Sequence, residues 1–238
     1  MNIIWNPTPN FTVGRRKYDN QTEEIIAIVD HKTAGKFPGC LNWMCNPAAK
    51  VSAHFLITRA GEIYQLVKLA DTAWHAGIVQ NLDWPLYRGY NPNRYTIGIE
   101  HEDYDGDGEL GLTDAQYQAS LELHKYLIKE LNIPVTVDNI IGHYRIDSVD
   151  RPNCPGPYFP WQPLMYALSG TAGERRQDDV KIEIDVQEIP VIFRGKEVPN
   201  STIMKIATKD TTMIPAVVLR EYGFNVTWDG PNNRVIIE

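Results

Sequence analysis

Residues 23–33, EEIIAIVDHKT, form a compact apolar run that ends in polar residues. A short continuous apolar run of this kind is typical of a buried central strand. His31 lies where the strand is expected to end, next to Lys32 and Thr33. In layered α/β proteins, sites are usually built at strand ends. The stretch therefore predicts a central strand and one histidine at a candidate site.

Two further segments are predicted to extend a sheet around this strand. VSAHFLITRAGEIYQLV (51–67) has two strand-like runs on either side of Ala60-Gly61, which predicts a hairpin. RYTIGIEHE (94–102) is rich in β-forming residues, and the alternation of a strand places Gly98 and Glu100 on the face opposite its isoleucines. Together with the run at 23–33, these segments predict a sheet with one polar face near Glu100.

Residues 112–132, LTDAQYQASLELHKYLIKELN, are the clearest helix. Thr113 and Gln116 form a capping-box pattern at its start, and Asn132 is expected to end it. One apolar stripe at helical spacing contains Tyr117, Leu121, His124, Ile128 and Leu131. His124 belongs to this stripe, so we expect it in the core or half-buried. Strands mixed with helices predict an α/β domain over residues 1–168, a mixed central β-sheet flanked by helices.

The rest of the chain is predicted to form a second, smaller domain. Residues 169–179 have the composition of a linker. Residues 180–238 contain strand-like runs (VKIEIDV, IPVIF), a short helix (PAVVLREYG) and a terminal hairpin (FNVTWDGPNNRVIIE), which predict a small α+β fold.

Composition excludes several classes of function. The net charge of −7 gives no support to nucleic-acid binding, and no apolar run is long enough for a membrane span. The start of the chain does not resemble a secretion signal, so we expect a cytoplasmic protein until it is released. Three cysteines do not make a disulfide framework. Cys40 and Cys45 either pair with each other or remain thiols.

A candidate metal site joins His31 to residues far along the chain. His143 follows the apolar run NIIG, and Cys154 lies in RPNCPG, a loop whose prolines and glycine restrict the backbone. Two histidines and one cysteine suit a catalytic zinc ion, which keeps a fourth position for water. Glu100 is a candidate base for that water. Spacing alone also permits structural roles for the three ligands and an exposed edge position for Glu100.

Six motifs occur in the order seen in the zinc-dependent N-acetylmuramoyl-L-alanine amidases: IVDHKT, VSAHFLITRAGEIYQLV, AWHAG, TIGIE, LTDAQY and GHYRIDSVDRPNCPGP. The chain resembles this family over roughly residues 20–165. The resemblance implies that His31, His143 and Cys154 bind zinc and that Glu100 activates water. It implies cleavage of the amide that joins N-acetylmuramic acid to L-alanine of the peptidoglycan stem peptide.

The sequence departs from the family where a positive partner for the oxyanion is expected. Many relatives have a lysine two residues before the third ligand, whereas this chain has Pro152. Arg151 is the expected replacement. His75 and Trp74, in AWHAG, match family positions near the substrate groove, although packing beneath a loop is an equal alternative. His54 matches a family histidine for which we expect a structural role.

Two other segments carry weaker resemblances. DYDGDGELGLTD (103–114) is similar to an EF-hand calcium loop, although an acidic surface turn explains it as well. TTMIPAVVLREYGFNVTWDGPNNRVIIE (211–238) resembles the stalk-type domain named after the N-terminal domain of copper amine oxidases. This resemblance implies a role in cell-wall anchoring or self-association.

The sequence therefore predicts a two-domain peptidoglycan hydrolase similar to phage endolysins and autolysins. Two alternatives remain: a recognition protein that binds peptidoglycan without cleaving it, and a cytoplasmic amidase that recycles muropeptides.

Overall fold

The computed structural model describes residues 1–15, 22–103 and 111–170, and the backbone of four short strands between residues 192 and 237. The chain divides into two compact units, Met1–Arg175 and Arg176–Glu238. Residues 171–179 of the predicted linker lie outside the described residues.

Within the described residues, the central sheet of the first unit has six strands. They are β1 (Ile3–Trp5), β3 (Ala27–Lys32), β4 (Phe55–Ile57), β5 (Ile63–Gln65), β7 (Thr96–His101) and β8 (Ile140–Gly142). Their order across the sheet is β1-β5-β4-β7-β3-β8. Two short strands, β2 (Phe11–Thr12) and β6 (Thr72–Ala73), form a separate antiparallel pair. The predicted mixed sheet is confirmed, because β4 and β5 are antiparallel whereas β3 is parallel to both β7 and β8.

The predicted central strand is confirmed as β3, which has a hydrogen-bonded neighbour on each side. Its first three residues, Ala27 to Val29, are fully buried. The predicted hairpin is also confirmed: β4 pairs with β5, and Gly61 in the turn has a φ of +84°, a conformation that glycine adopts without steric cost.

Three α-helices lie in the described part of this unit: α1 (Gly39–Cys45), α2 (Asp114–Leu131) and α3 (Trp161–Ser169). The hydroxyl of Thr113 caps α2 by accepting from the Gln116 amide, and Asn132 ends it in a left-handed conformation. The capping box is only half formed. The Gln116 side chain instead donates to the carbonyl groups of Ile57 and Glu102, because buried carbonyl oxygens at that place require a donor.

Alternation along the strands gives the sheet two different faces. On one face, Ile28, Ile97 and Ile99 pack with Phe55 and Ile57 against Ala119, Leu123 and Leu127 of α2. The predicted stripe of α2 lies to one side of this contact, where Leu121 packs with Leu164 and Leu168 of α3. On the other face, Ala27 and Val29 pack with Tyr95, Ile141 and Ile146. His31 follows Val29 on this second face, away from α2.

In the second unit, β9 (Ile192–Phe193) pairs with β10 (Lys196–Glu197), and β11 (Val226–Asp229) pairs with β12 (Arg234–Ile237). Both pairs are antiparallel, as predicted for the terminal hairpin. The predicted strand VKIEIDV and the predicted helix PAVVLREYG lie outside the described residues. A search of the described residues finds no helix with the length and hydrophobicity of a membrane span.

Candidate active site

Three side chains that are distant in sequence converge at the carboxyl ends of β3 and β8. His31 is in β3, His143 begins a short 3-10 helix directly after β8, and Cys154 lies on the loop that follows. Nδ1 of His31 is 3.0 Å from Nδ1 of His143 and 4.0 Å from Sγ of Cys154. The three ligand atoms lie within 4.8 Å of one another, and all three residues are buried. The structure thus places together the nitrogen, nitrogen and sulfur donors that the sequence singled out.

The loop that carries Cys154 is held against the end of β8. The Tyr144 amide donates to the carbonyl of Cys154 at 3.1 Å, and the backbone amide of Lys32 hydrogen-bonds the thiol. Gly142 permits this approach: a Cβ there would lie 2.5 Å from the Tyr144 ring and 2.8 Å from Cδ of Pro155. Backbone contacts therefore determine where the sulfur lies.

Burial sets the protonation states of the three donors. It lowers the pKa of His31 well below its usual value, and the neighbouring histidines lower it further. Burial also lowers the pKa of His143, and burial together with Glu100 raises that of Cys154 to about 12. Both imidazoles are neutral and each offers a lone pair, whereas the thiol keeps its proton until a cation stabilises the thiolate.

Glu100 lies beside His31, because the parallel register of β3 and β7 pairs these two residues. The strand is internal to the sheet, so the alternative of an exposed edge position is wrong. Oε2 of Glu100 is buried and has no hydrogen-bond partner among the described residues. Burial raises the pKa of this carboxyl to about 8, against an opposing effect of the positive charge of Arg151.

An open cleft of about 740 Å³ lies over these groups, and its lining includes Glu100, Arg151 and Trp74. The indole nitrogen of Trp74 donates to the hydroxyl of Thr12 at 2.9 Å, which fixes the ring at the side of the cleft. Trp43, on α1, also lines the cleft and is 57% exposed. Sequence reasoning missed Trp43, which lies away from the buried residues of α1, Cys40, Leu41 and Met44.

Among the described residues, three cationic side chains line the cleft (Lys32, Lys50 and Arg151), and the sequence analysis considered only Arg151 as a partner for the oxyanion. Arg151 is exposed, and its guanidinium donates to the carbonyl of Asp150 at 2.9 Å. Lys32 also lines the cleft, and its Nζ lies 3.9 Å from Oδ2 of Asp103. Residues 104–110 of the predicted calcium loop lie outside the described residues, so the calcium hypothesis stays a prediction.

The predicted substrate-binding residue His75 is buried at the lining of the cleft, in contact with His31. Its Nδ1 is 3.1 Å from Nε2 of His31, and its Nε2 is 3.2 Å from the hydroxyl of Thr96. Burial lowers the pKa of His75 to about 3. His54 is fully buried and accepts from the Gly98 amide through Nδ1, in keeping with a structural role.

A second cluster of ionisable groups lies on the opposite face of the sheet. The carboxylate of Asp30 accepts from Nε2 of His124 at 3.3 Å and lies 3.9 Å from Nε2 of His101. Burial lowers the pKa of His124, but Asp30 outweighs that effect and the pKa is raised. Nδ1 of His101 donates to the carbonyl of His31. His124 is buried as predicted, whereas no sequence pattern indicated that Asp30 and His101 would lie beside it.

Cys40 and Cys45 are both free thiols. Of the two alternatives that the sequence left open, the reduced pair is the one observed.

Comparison with known proteins identifies similar chains. Residues 21–157 match the family model described as N-acetylmuramoyl-L-alanine amidase. N-acetylmuramoyl-L-alanine amidase A of Achromobacter lyticus is 29% identical over 188 residues, which cover 71% of this chain and 95% of that protein. The 1,6-anhydro-N-acetylmuramyl-L-alanine amidase AmpD of Salmonella typhimurium is 42% identical over 120 residues, which cover 50% of this chain and 57% of AmpD.

Two solved structures share the fold. A selenomethionine derivative of AmpD has a TM-score of 0.51 and 30% identity, and the match covers 70% of this chain and 93% of that one. The amidase AmiD of E. coli, in complex with anhydro-N-acetylmuramic acid-L-Ala-D-γ-Glu-L-Lys, has a TM-score of 0.52 and 31% identity. That match covers 64% of this chain and 61% of AmiD.

Proposed function

Since this chain belongs to the N-acetylmuramoyl-L-alanine amidase family, we propose that it hydrolyses the amide between N-acetylmuramic acid and L-alanine of the peptidoglycan stem peptide. The observation that carries the proposal is the convergence of His31, His143 and Cys154 in one cleft, beside a carboxylate oxygen of Glu100 that has no hydrogen-bond partner among the described residues. The amidase AmiD, which is similar to this chain, was solved with a muropeptide substrate that contains this bond.

The three donors fit a zinc ion. Zinc takes imidazole nitrogen and thiolate sulfur, and three protein ligands leave one position open at a catalytic site. The two Nδ1 atoms face each other at 3.0 Å, with the sulfur 4.0 Å from that of His31, and both rings bond through Nε2 to other groups. A zinc ion bound there supplies a Lewis acid that polarises the substrate carbonyl and makes water more acidic. The His31, His143 and Cys154 side chains would hold it.

Glu100 is proposed to take the proton from the attacking water. A general base must be ionised and within reach of that proton. Glu100 lines the cleft beside His31, and its Oε2 has no hydrogen-bond partner among the described residues, which leaves it available to accept that proton. Burial raises the pKa of Glu100 to about 8 despite the opposing charge of Arg151, and a divalent cation bound beside it would favour the ionised form.

Arg151 is proposed to stabilise the negative charge that develops on the carbonyl oxygen. Its charge is close enough to lower the pKa of Glu100, and its side chain lines the cleft. Guanidinium groups remain charged at all relevant pH values and donate several hydrogen bonds. Trp74 and Trp43 offer aromatic surface at the side of the cleft for the sugar or the peptide.

The test is digestion of purified cell walls by the protein loaded with zinc. We expect new L-alanine amino termini without new reducing sugar ends, and loss of activity with a chelator. Glu100→Gln should retain zinc and lower the rate by about 10²–10⁴-fold, the usual contribution of a general base. Glu130→Gln, on the exposed side of α2, is the matched control and should behave as the unaltered protein. Reducing ends in place of amino termini would show that the proposed bond is wrong.

The substrate that the protein cleaves distinguishes the endolysin-like role from the two alternatives, a recycling amidase and a recognition protein. The 42% identity to AmpD favours the recycling alternative, which requires cleavage of soluble anhydromuropeptides and little action on intact walls. A recognition protein would bind walls and release nothing. Faster cleavage of intact walls than of soluble fragments would support the endolysin-like role, with the protein in the cytoplasm until release.

The segment 180–238 is proposed to be an accessory domain, of the stalk type that its sequence resembles, after a linker at 169–179. We propose that it anchors the enzyme to the wall or joins two copies. A chain that ends at residue 175, the boundary of the first compact unit, should then show weaker wall sedimentation or fewer copies per particle in solution. Unchanged values for both would exclude the two roles.

A further inference from the structure

His31 needs a fixed tautomer to act as a ligand through Nδ1. A neutral imidazole carries one proton, so Nδ1 offers a lone pair only when the proton is on Nε2. That buried N–H then needs an acceptor. Nδ1 of His75, 3.1 Å away, is the nitrogen in position to accept it.

His75 can accept only if its own proton is on Nε2, and its other contacts meet this requirement. Nε2 lies 3.2 Å from Oγ1 of Thr96, and the Thr96 hydroxyl donates in turn to the carbonyl of Pro92 at 2.8 Å. Each donor in the series His31, His75, Thr96 therefore meets one acceptor. The series has one self-consistent assignment of protons with Nδ1 of His31 free, and that nitrogen faces His143 and Cys154.

The residue next to His75 does the same for the second histidine. Nε2 of His143 donates a hydrogen bond to the carbonyl of Ala76 at 3.0 Å, which keeps the proton on Nε2 and leaves the lone pair of Nδ1 free. Two adjacent residues, one through its side chain and one through its backbone, thus orient both histidines. A shift of this dipeptide would disturb both ligands together.

The position of the dipeptide is set by Asn93. Oδ1 of Asn93 accepts from the amide of His75 at 2.9 Å and from that of Ala76 at 2.7 Å. Asn93 is buried, and the guanidinium of Arg15 donates to its backbone carbonyl. Gly98 leaves space for the His75 ring, since a Cβ there would lie 2.4 Å from Cγ of His75.

We propose that His75 and Asn93 are positioning residues of the zinc site: Asn93 holds the dipeptide His75-Ala76, which orients both histidine ligands. This inference rests on the proposed function, because it takes His31 and His143 as ligands. Groups that hold metal ligands through hydrogen bonds typically change metal affinity by about 10–100-fold when they are removed. It also gives His75 a role that does not require contact with substrate.

The test compares two replacements of His75. His75→Phe keeps a ring of similar shape but removes the acceptor. His75→Asn removes the ring but places Oδ1 where Nδ1 lies. The zinc dissociation constant is measured by competition with a chromophoric chelator, and the cobalt form gives a visible absorption spectrum that reports ligand geometry. We expect His75→Phe to bind zinc about 10–100-fold more weakly with an altered cobalt spectrum, and His75→Asn to recover most of the affinity.

Asn93→Ala should weaken zinc binding by a similar factor, whereas Asn42→Ala, on the exposed side of α1, should not. Circular dichroism and thermal melts of the zinc-free variants verify folding, and His75→Asn keeps the test valid if His75→Phe does not fold. Suppose that the unaltered protein binds zinc and cleaves walls. The positioning role is then wrong, and the proposed function stands, if His75→Asn binds zinc no better than His75→Phe or if both variants bind it as tightly as the unaltered protein. If the unaltered protein binds no zinc, the proposed function itself fails.

Discussion

Replacement of Gly98 by alanine tests how tightly His75 is held. An added Cβ would lie 2.4 Å from Cγ of His75 and 2.8 Å from its Nδ1 and Cδ2. Non-bonded carbon atoms pack at about 3.5–4.0 Å, so the ring must move by more than about 1 Å or the strand must shift. The strand is restrained, because the Gly98 amide donates to Nδ1 of His54 and its carbonyl accepts from the His54 amide. The ring is therefore the part that moves.

The cost has two parts. Overpacking of a well-packed interior costs about 1–3 kcal/mol. A displaced His75 ring also loses its contacts with His31 and Thr96, at about 0.5–1.5 kcal/mol for each hydrogen bond. We expect Gly98→Ala to lower the free energy of unfolding by about 2–6 kcal/mol. Zinc affinity should fall by about 10–100-fold, because His31 loses its acceptor.

Urea denaturation of the zinc-free protein measures the first effect, and chelator competition measures the second. Gly39→Ala is the matched control. Gly39 is the first residue of α1, and a Cβ there would meet no atom within 4 Å. Its effect on the free energy of unfolding should stay within about 0.5 kcal/mol. A Gly98→Ala protein as stable as this control, with unchanged zinc affinity, would show that the ring retreats freely. The account of a fixed His75 would then be refuted.

Two further predictions concern the buried ionisable groups. Asp30→Asn should destabilise the protein by about 3–5 kcal/mol in urea denaturation, because the charge of His124 loses its buried partner. The control Asp138→Asn breaks a partly exposed pair with Arg145 and should cost less than about 1 kcal/mol. Equal losses would show that His124 does not depend on Asp30 for its charge. Burial lowers the pKa of His101 to about 4 and that of His75 to about 3, so the unfolded chain, with histidine pKa values near 6.5, binds more protons below that pH. The buried histidines with lowered pKa values outnumber His124 and Glu100, whose pKa values are raised. The free energy of unfolding of the zinc-free protein should therefore fall as the pH falls from about 6.5 toward about 4.5. A flat profile in urea denaturation over this range would be inconsistent with neutral buried histidines.

Local patterns were sufficient to locate the main elements. The apolar run at 23–33, the turn at Gly61 and the caps at Thr113 and Asn132 all correspond to the observed β3, hairpin and α2. These features depend on neighbours within a few residues, so the sequence contains the information directly. The capping box was the exception. The Gln116 side chain donates to the carbonyl groups of Ile57 and Glu102, and no local sequence pattern indicates these distant acceptors.

The residue types and their order also indicated the available chemistry: two strand-end histidines, one cysteine in a restricted loop and one glutamate, in the order of a known family. How these side chains meet depends on contacts between distant parts of the chain. The register of β3 and β7 placed Glu100 beside His31, and Asn93 reached the dipeptide that serves both ligands. Contacts of this kind join residues tens of positions apart. They arise from strand pairing and packing of the whole sheet, which no short stretch of sequence specifies.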